Sequence, residues 1–472
     1  MVRSSLRWLV DRFGLGPIWD HLLDRNVPKD PWYHGDGMAL LVLLSVLVIT
    51  GVVLSLGYCP AVDEAYQSVK YITERQTLGS FVRGLHYWSG GLMVVMLFLH
   101  LCRQLLNGGY KSPREGTWLI GVFLLFIVLT TSLLGYVLRW DQRGFYGLKV
   151  LFAALQSVPV LGEQLVLLIQ GGPEVTSLTL SRVYSLHVVI LPMLLIGLVG
   201  YHMYLVILHG TTTLAERKEP IETVEEQREL YQEQADHPVK GEVFFPTAVI
   251  KISPWSIVSL TLALGLALTL GPRALLAPAS SASTEPVSEE WWFAWYSGLV
   301  ALLPPSVAPT FQWLFPVAVF VGLAMLPLVD RSPLRGWKNR PIATLLVSLL
   351  VLAVIGLSWF RYQSPWTPRS SAGVPTTPAG FELAYEAEQG RQLFRQYGCT
   401  NCHSVAGSGG TKVGSDLAQL DTIYSQAELR QYILQPPRGV AMPSYTGRMS
   451  NDELEEIVAY VLVAQTFPRK QE

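Results

Sequence analysis

The sequence predicts an all-α membrane protein: seven transmembrane helices followed by a soluble α-helical domain. Three observations carry this prediction. Half of the 472 residues are hydrophobic, only 15% are charged, and the mean hydropathy is +0.32. Apolar runs recur at about 37–58, 86–106, 117–138, 183–208, 252–272, 311–329 and 342–361, near the roughly 20 residues that cross a bilayer. Beyond residue 380 these runs stop, and segments of helical periodicity take over.

The elements follow in order. The opening stretch "MVRSSLRWLVDRFGLGPIWDHLL" mixes charge and apolar residues at helical spacing. It reads as an amphipathic helix on the membrane surface, not as a cleavable signal. Residues 145–169 are apolar but broken by Gly, Pro, Gln and Glu, and read as two short surface helices. Two linkers divide the chain. Residues 211–246 are charged, and residues 363–380 are rich in Pro, Ser and Thr, an extended tether. The parts are therefore 1–210 with four spans, 247–362 with three, and a soluble domain at 381–472. Arg331, Arg335, Lys338 and Arg340 crowd the connection after span six, whereas the connection after span five carries only Arg273. With Arg3, Arg7 and Arg12, these place the N-terminus in the cytoplasm and the C-terminal domain outside. A net charge of −1 offers no basic field for nucleic acid.

Spans two and four each carry two histidines. His86 and His100 are fourteen residues apart, close to four turns, so they share one helix face roughly 21 Å apart along the axis. His187 and His202 repeat the pattern with a step of fifteen. Both spans run in the same direction, so His86 pairs with His187 at the outer level and His100 with His202 at the inner level. One imidazole from each side suits a haem iron, whereas zinc needs three or four ligands. The alternative, polar histidines facing a bundle interior, suits one residue better than four at matched spacing. Gly37 and Gly51 are also fourteen apart, as are Gly121 and Gly135. Glycines there would let backbone approach the edge of a macrocycle, although glycine also packs membrane helices.

"CTNCH" reads as the attachment site of a c-type haem, with thioether bonds from Cys399 and Cys402 and His403 as proximal ligand. A redox dithiol or half a zinc site is the competing reading. Met442 in "GVAMPSY" is the candidate sixth ligand. Met449 is the alternative, but it precedes "SNDE", a capping box at Ser450–Glu453. The other two cysteines, Cys59 and Cys102, lie near opposite ends of the first two spans and cannot bridge.

Taken together, "RGLHYWSGGLMVVMLFLHLCRQLLNGGYKSPREGTW" and "LGYVLRWDQRGFYGLKV" resemble cytochrome b6, and residues 240–362 resemble subunit IV of the b6f complex. Residues 380–472 resemble a class I cytochrome c. The resemblance implies a four-helix di-haem bundle, a three-helix subunit IV-like part, two b haems and one c haem. It implies a quinol–cytochrome c oxidoreductase that oxidises quinol at an outer site. One electron would cross through both b haems to an inner quinone. The other would reach haem c through a Rieske iron–sulfur protein. The cysteines left over cannot hold a Rieske cluster, so that protein must be a separate subunit. The resemblance further implies a homodimer in a prokaryotic cytoplasmic membrane. Electrons would go to an acceptor of cytochrome c or copper-protein type.

The family's Pro-Glu-Trp-Tyr motif stands here as "EEWW": Glu289 replaces the Pro, Glu290 and Trp291 match, and Trp292 replaces the Tyr. Glu290 would take a proton from quinol, with Trp291 beside it, and burial against a quinone suits that role. The alternative is a solvated acidic loop. "LRWDQRGFYG" should form the opposite wall, with Arg139 in place of the family's Pro. The family's extra covalent haem hangs on a cysteine, and His34 aligns there. Ile207, Leu208 and His209 replace basic residues after the last ligand, whereas Asp20 matches an acid of the inner quinone site. Arg83 and Arg103 are either haem propionate partners or ordinary interfacial arginines. The competing function is a linear haem conduit without a second quinone pocket. A transporter is the third class, and the ligand sets oppose it.

Overall fold

The computed structural model describes residues 35–210, 242–280, 287–304, 306–363, 375–378, 380–409, 414–420, 422–437, 442, 444–447 and 449–468, with residues 10, 12, 14, 16, 26–27 and 229 besides. The surface helix expected at the N-terminus, Asp20 and His34, and most of both linkers lie outside these residues. The chain divides into two compact units, Met1–Ala279 with Glu290–Gly356, and Ser280–Glu289 with Leu357–Glu472.

In the first unit, α1 (Gly35–Ser55) leads to the short surface helix α2 (Ala65–Glu74), then α3 (Gly79–Asn107) and α4 (Glu115–Val137). The broken segment forms two short helices, α5 (Gln142–Gln156) and α6 (Gly162–Gln170), as expected. Asp141 starts α5 by accepting from the Gly144 amide, which satisfies an otherwise orphan N-terminal donor. The remaining helices are α7 (Ser177–His209), α8 (Phe244–Thr269), α9 (Ala294–Ala301), α10 (Ala308–Val329) and α11 (Pro341–Gln363). Among the described residues, seven helices are long and apolar enough to span a membrane, matching the sequence reading. A two-residue antiparallel pairing joins Asn26–Val27 to Glu242–Val243 just before α8.

The spanning helices pair off. α1 packs on α3, and α8 lies against both. Gly35 makes room for that crossing, because a Cβ there would collide with the Trp255 indole. Ala39, Leu43, Met93 and Met96 form the buried seam. α4 packs on α7, and α10 lies against α4 and α5. Facing residues of the two pairs line a common cavity (Gly51 and His86 on one side, Gly135 and His187 on the other).

α7 contains one π-turn, Leu186–Ile190, in which the Leu191 amide bonds to Leu186 O. Pro192 follows it, and its ring cannot supply the next amide donor. A π-turn takes up one extra residue per turn. The fifteen-residue step from His187 to His202 therefore does the geometric work of the fourteen-residue step in α3.

In the second unit, α12 (Tyr385–Gln396), α13 (Gln426–Leu434) and α14 (Asn451–Ala464) enclose a core of Phe394, Leu429, Leu454, Ile457 and Tyr460. Reciprocal capping boxes start α13 at Ser425–Glu428 and α14 at Ser450–Glu453. α12 crosses α14 where Gly390 meets the Glu456 carbonyl, and a Cβ would collide with that oxygen. Gly390→Val should therefore destabilise this unit by about 1–3 kcal/mol. Pulse proteolysis of the purified protein in urea would read that as a lower midpoint, and an unchanged midpoint would count against the crossing.

Candidate functional site

At the first histidine level, α3 supplies His86 and α7 supplies His187. Their ring centroids stand 6.3 Å apart, with the planes at 76°. Two metal–nitrogen bonds of about 2 Å plus the two ring radii span such a gap, so one ion between the rings fits. Each ring has its Nδ1 engaged: His86 with Thr50 Oγ1 at 2.9 Å, and His187 with Thr131 O at 2.9 Å. That leaves each Nε2 for a metal and holds the ring plane. A Cβ on Gly51 would come within 3.3 Å of the His86 ring, and one on Gly135 would collide with the His187 ring. Gly51 and Gly135 therefore give these two imidazoles room.

The second level holds His100 and His202. A Cβ on Gly121 would lie 3.4 Å from His202 Cε1, while Gly37 has open space beside it. His100 Nδ1 lies 3.2 Å from Asp36 Oδ2, and Asp36 is only 2% exposed. Arg103 Nε also donates to Asp36 Oδ2, at 2.8 Å. Arg103 is thus engaged by a carboxylate of its own chain, which neither sequence reading of it foresaw. Among the described residues, no group of three or more His, Cys, Asp or Glu side chains could hold a metal ion.

The first level opens into a cavity of about 290 Å³ whose walls include Gly51, Gly135, Tyr87, Arg139, Glu290 and Trp292. Glu290, 1% exposed, is not a solvated loop residue. Its Oε1 accepts from Arg139 Nη1 at 2.8 Å, and its Oε2 accepts from Arg273 Nη1 at 2.6 Å and the Tyr87 hydroxyl at 2.9 Å. Arg139 also bridges to Asp141 at 2.5 Å. "LRWDQRGFYG" does supply a wall, but through a guanidinium. The cavity wall takes Trp292, and from the 3-10 turn at Trp291–Phe293 both Trp291 and Trp292 pack against Gly91 of α3. Arg83 lines the cavity and donates to Thr73 Oγ1 at 3.0 Å and Arg273 O at 2.9 Å. Sequence reasoning missed Tyr87, Asp36 and Arg273. A phenol next to His86 and an acid in the first turn of an apolar helix were the available signals.

In the second unit, His403 Nδ1 lies 2.9 Å from Ser415 O, which again frees Nε2. Gly414 sits tightly there: a Cβ would be 2.6 Å from Cys402 O and 3.0 Å from His403 Nδ1. Burial pushes the Cys399 thiol up to about 12 and raises that of Cys402. A redox dithiol needs a lowered thiol, so this environment opposes that reading. Met442 and Met449 both pack against the same core.

Three family models match the chain. "Cytochrome b/b6/petB" covers residues 24–212, "Cytochrome b(C-terminal)/b6/petD" covers 278–377, and "Cytochrome C oxidase, cbb3-type, subunit III" covers 386–461. The menaquinol:cytochrome c reductase cytochrome b subunit of Bacillus subtilis is 32% identical over 216 residues, 44% of this chain and 96% of that protein. Cytochrome b6 of Crocosphaera subtropica is 38% identical over 191 residues, 40% of this chain and 86% of that protein. Cytochrome b of Allochromatium vinosum is 29% identical over 375 residues, 76% of this chain and 88% of its own length. A solved hyperthermophilic respiratory complex III superposes with a TM-score of 0.63 at 25% identity, covering 76% of this chain and 92% of that one.

The Glu290 cluster generates a stability prediction. Arg139→Met and Glu290→Gln should each destabilise the protein, and the double variant should recover part of the loss. The expected coupling is about 0.5–3 kcal/mol, read from thermal melts of the purified protein. Strict additivity would show that the ion pair carries no energy.

Proposed function

The chain belongs to the cytochrome b/b6 family, and from that premise we propose that it is the fused cytochrome b and c subunit of a quinol–cytochrome c oxidoreductase. One observation carries the reading beyond the family: the His86–His187 gap and the Glu290 carboxylate share one cavity. A linear conduit has no use for a buried carboxylate at that place.

In this reading His86 and His187 hold the outer b haem, and His100 and His202 hold the inner one. His403 and Met442 ligate haem c, with thioether bonds to Cys399 and Cys402. When bound, these haems supply the one-electron steps into which oxidation of a quinol is divided. The protein's own part is to bind and orient the quinol and to receive its protons. Glu290 takes a proton at Oε2. Of its three donors the Tyr87 hydroxyl is the only neutral one, hence the weakest to exchange for a quinol hydroxyl. Trp292 and the apolar wall exclude water from the exchange.

The remaining cysteines, exposed Cys59 just past the C-terminal end of α1 and buried Cys102 near the C-terminal end of α3, belong to consecutive spans and so face opposite membrane sides. A Rieske subunit therefore takes the first electron, and the second goes toward a quinone on the inner side, where Asp20 would serve. This division contributes to a proton motive force. A homodimer in a prokaryotic cytoplasmic membrane, with the N-terminus inside and the cytochrome c domain outside, completes the reading. Haem c delivers to an acceptor of cytochrome c or copper-protein type.

Two measurements test this. A pyridine haemochrome assay of the purified protein should give b and c haem near 2:1, and a c-only spectrum would end the four-histidine reading. Quinol-driven reduction of the b haems should slow by about 10²-fold or more in Glu290→Gln that keeps its haems. An unchanged rate would remove Glu290 from the chemistry.

A further inference from the structure

The two histidine levels are supported by chemically different groups. At the first level the Nδ1 partners are neutral, the Thr50 hydroxyl and the Thr131 carbonyl. At the second, the atom nearest to His100 Nδ1 is a carboxylate oxygen of Asp36, at 3.2 Å. The carboxylate is held firmly. Its Oδ1 accepts the Gly37 amide at 2.8 Å, its Oδ2 accepts Arg103 Nε at 2.8 Å, and it is 2% exposed. Arg103 Nη2 reaches only to 3.5 Å from the same ring nitrogen. The guanidinium therefore fixes Asp36 more than it engages the ring.

Resting on the assignment of His100 as a haem ligand, we propose that Asp36 is a positioning residue that lowers the reduction potential of the haem His100 would hold. The Nδ1–H of His100 donates to the carboxylate, so the imidazole gains basicity and its Nε2 becomes a stronger donor to iron. A stronger donor favours the oxidised metal over the reduced one. Burial sharpens the effect, because a charge acts more strongly where water does not screen it. Arg103 moderates it by offsetting part of the carboxylate charge. The two haems are thereby tuned separately, one by neutral partners and one by a clamped anion.

Potentiometric titration of the b haems in the purified full-length protein tests this. Asp36→Asn keeps an acceptor oxygen but removes the charge. It should raise the potential of one b haem at least tenfold in its redox equilibrium, about 59 mV for one electron. The other b haem should stay in place. Asp36→Glu, which keeps the charge, should restore part of the shift. Arg103→Gln frees the carboxylate from its cation and should move the same haem in the opposite direction, so it decides the matter where Asp36→Asn fails to retain haem. Unshifted potentials in haem-replete Asp36→Asn, or an unmoved or raised potential in Arg103→Gln, would overturn the role of Asp36 alone. A wild-type protein without b haem would overturn the ligand assignment itself.

Discussion

The membrane unit is organised around imidazoles that a tightly packed helix bundle would ordinarily exclude. A buried polar ring must be hydrogen-bonded, and a ring that is also to ligate must keep one nitrogen clear. The bundle meets both demands with the same device at the first level. Thr50 and Thr131 take up Nδ1 of His86 and His187, and glycine on the facing helix clears the volume each ring sweeps. Pairing α1 with α3 and α4 with α7 follows from this, because each pair brings one histidine and one glycine helix together. The space left between the pairs is the cavity.

The opposite problem is solved at Glu290, where charge is deliberately retained. A carboxylate buried to this degree costs several kcal/mol unless matched by cations of good geometry. Arg139 and Arg273 provide the match, and Asp141 in turn holds Arg139. The cluster joins the end of α4, the turn after α8 and the loop before α9 around one functional group. The carboxylate is consequently aimed at the cavity and held there, at the expense of the freedom an unpaired side chain would have.

Much of this was legible in the sequence, and the rest was not for identifiable reasons. The spans, the two short helices after α4 and the capping box at Ser450 follow from local patterns, and local patterns are what a sequence displays. The histidine pairs could be read because helical periodicity converts spacing into direction. The fifteen-residue step was visible as a number, but its cause, the π-turn at Leu186–Ile190, is a backbone event that Pro192 only hints at. Tyr87 and Glu290 meet across 203 residues, and no periodicity relates them. Motif position alone does not say which of the adjacent indoles Trp291 and Trp292 lines the cavity, whereas the backbone of the 3-10 turn settles on Trp292.

The two levels also differ in how far substitution could change them. A threonine hydroxyl or a backbone carbonyl offers an acceptor of nearly constant strength, so the first level can be altered little without losing its geometry. The second level rests on an ion pair, and the strength of its acceptor depends on how completely Arg103 offsets Asp36. Such a pair permits graded tuning by changes that never touch the ligand. Under the proposed haem assignment, a chain that must order two similar sites by potential gains from making only one of them adjustable. The acid in the first turn of α1, an expensive residue at the start of an otherwise apolar helix, is intelligible on those grounds.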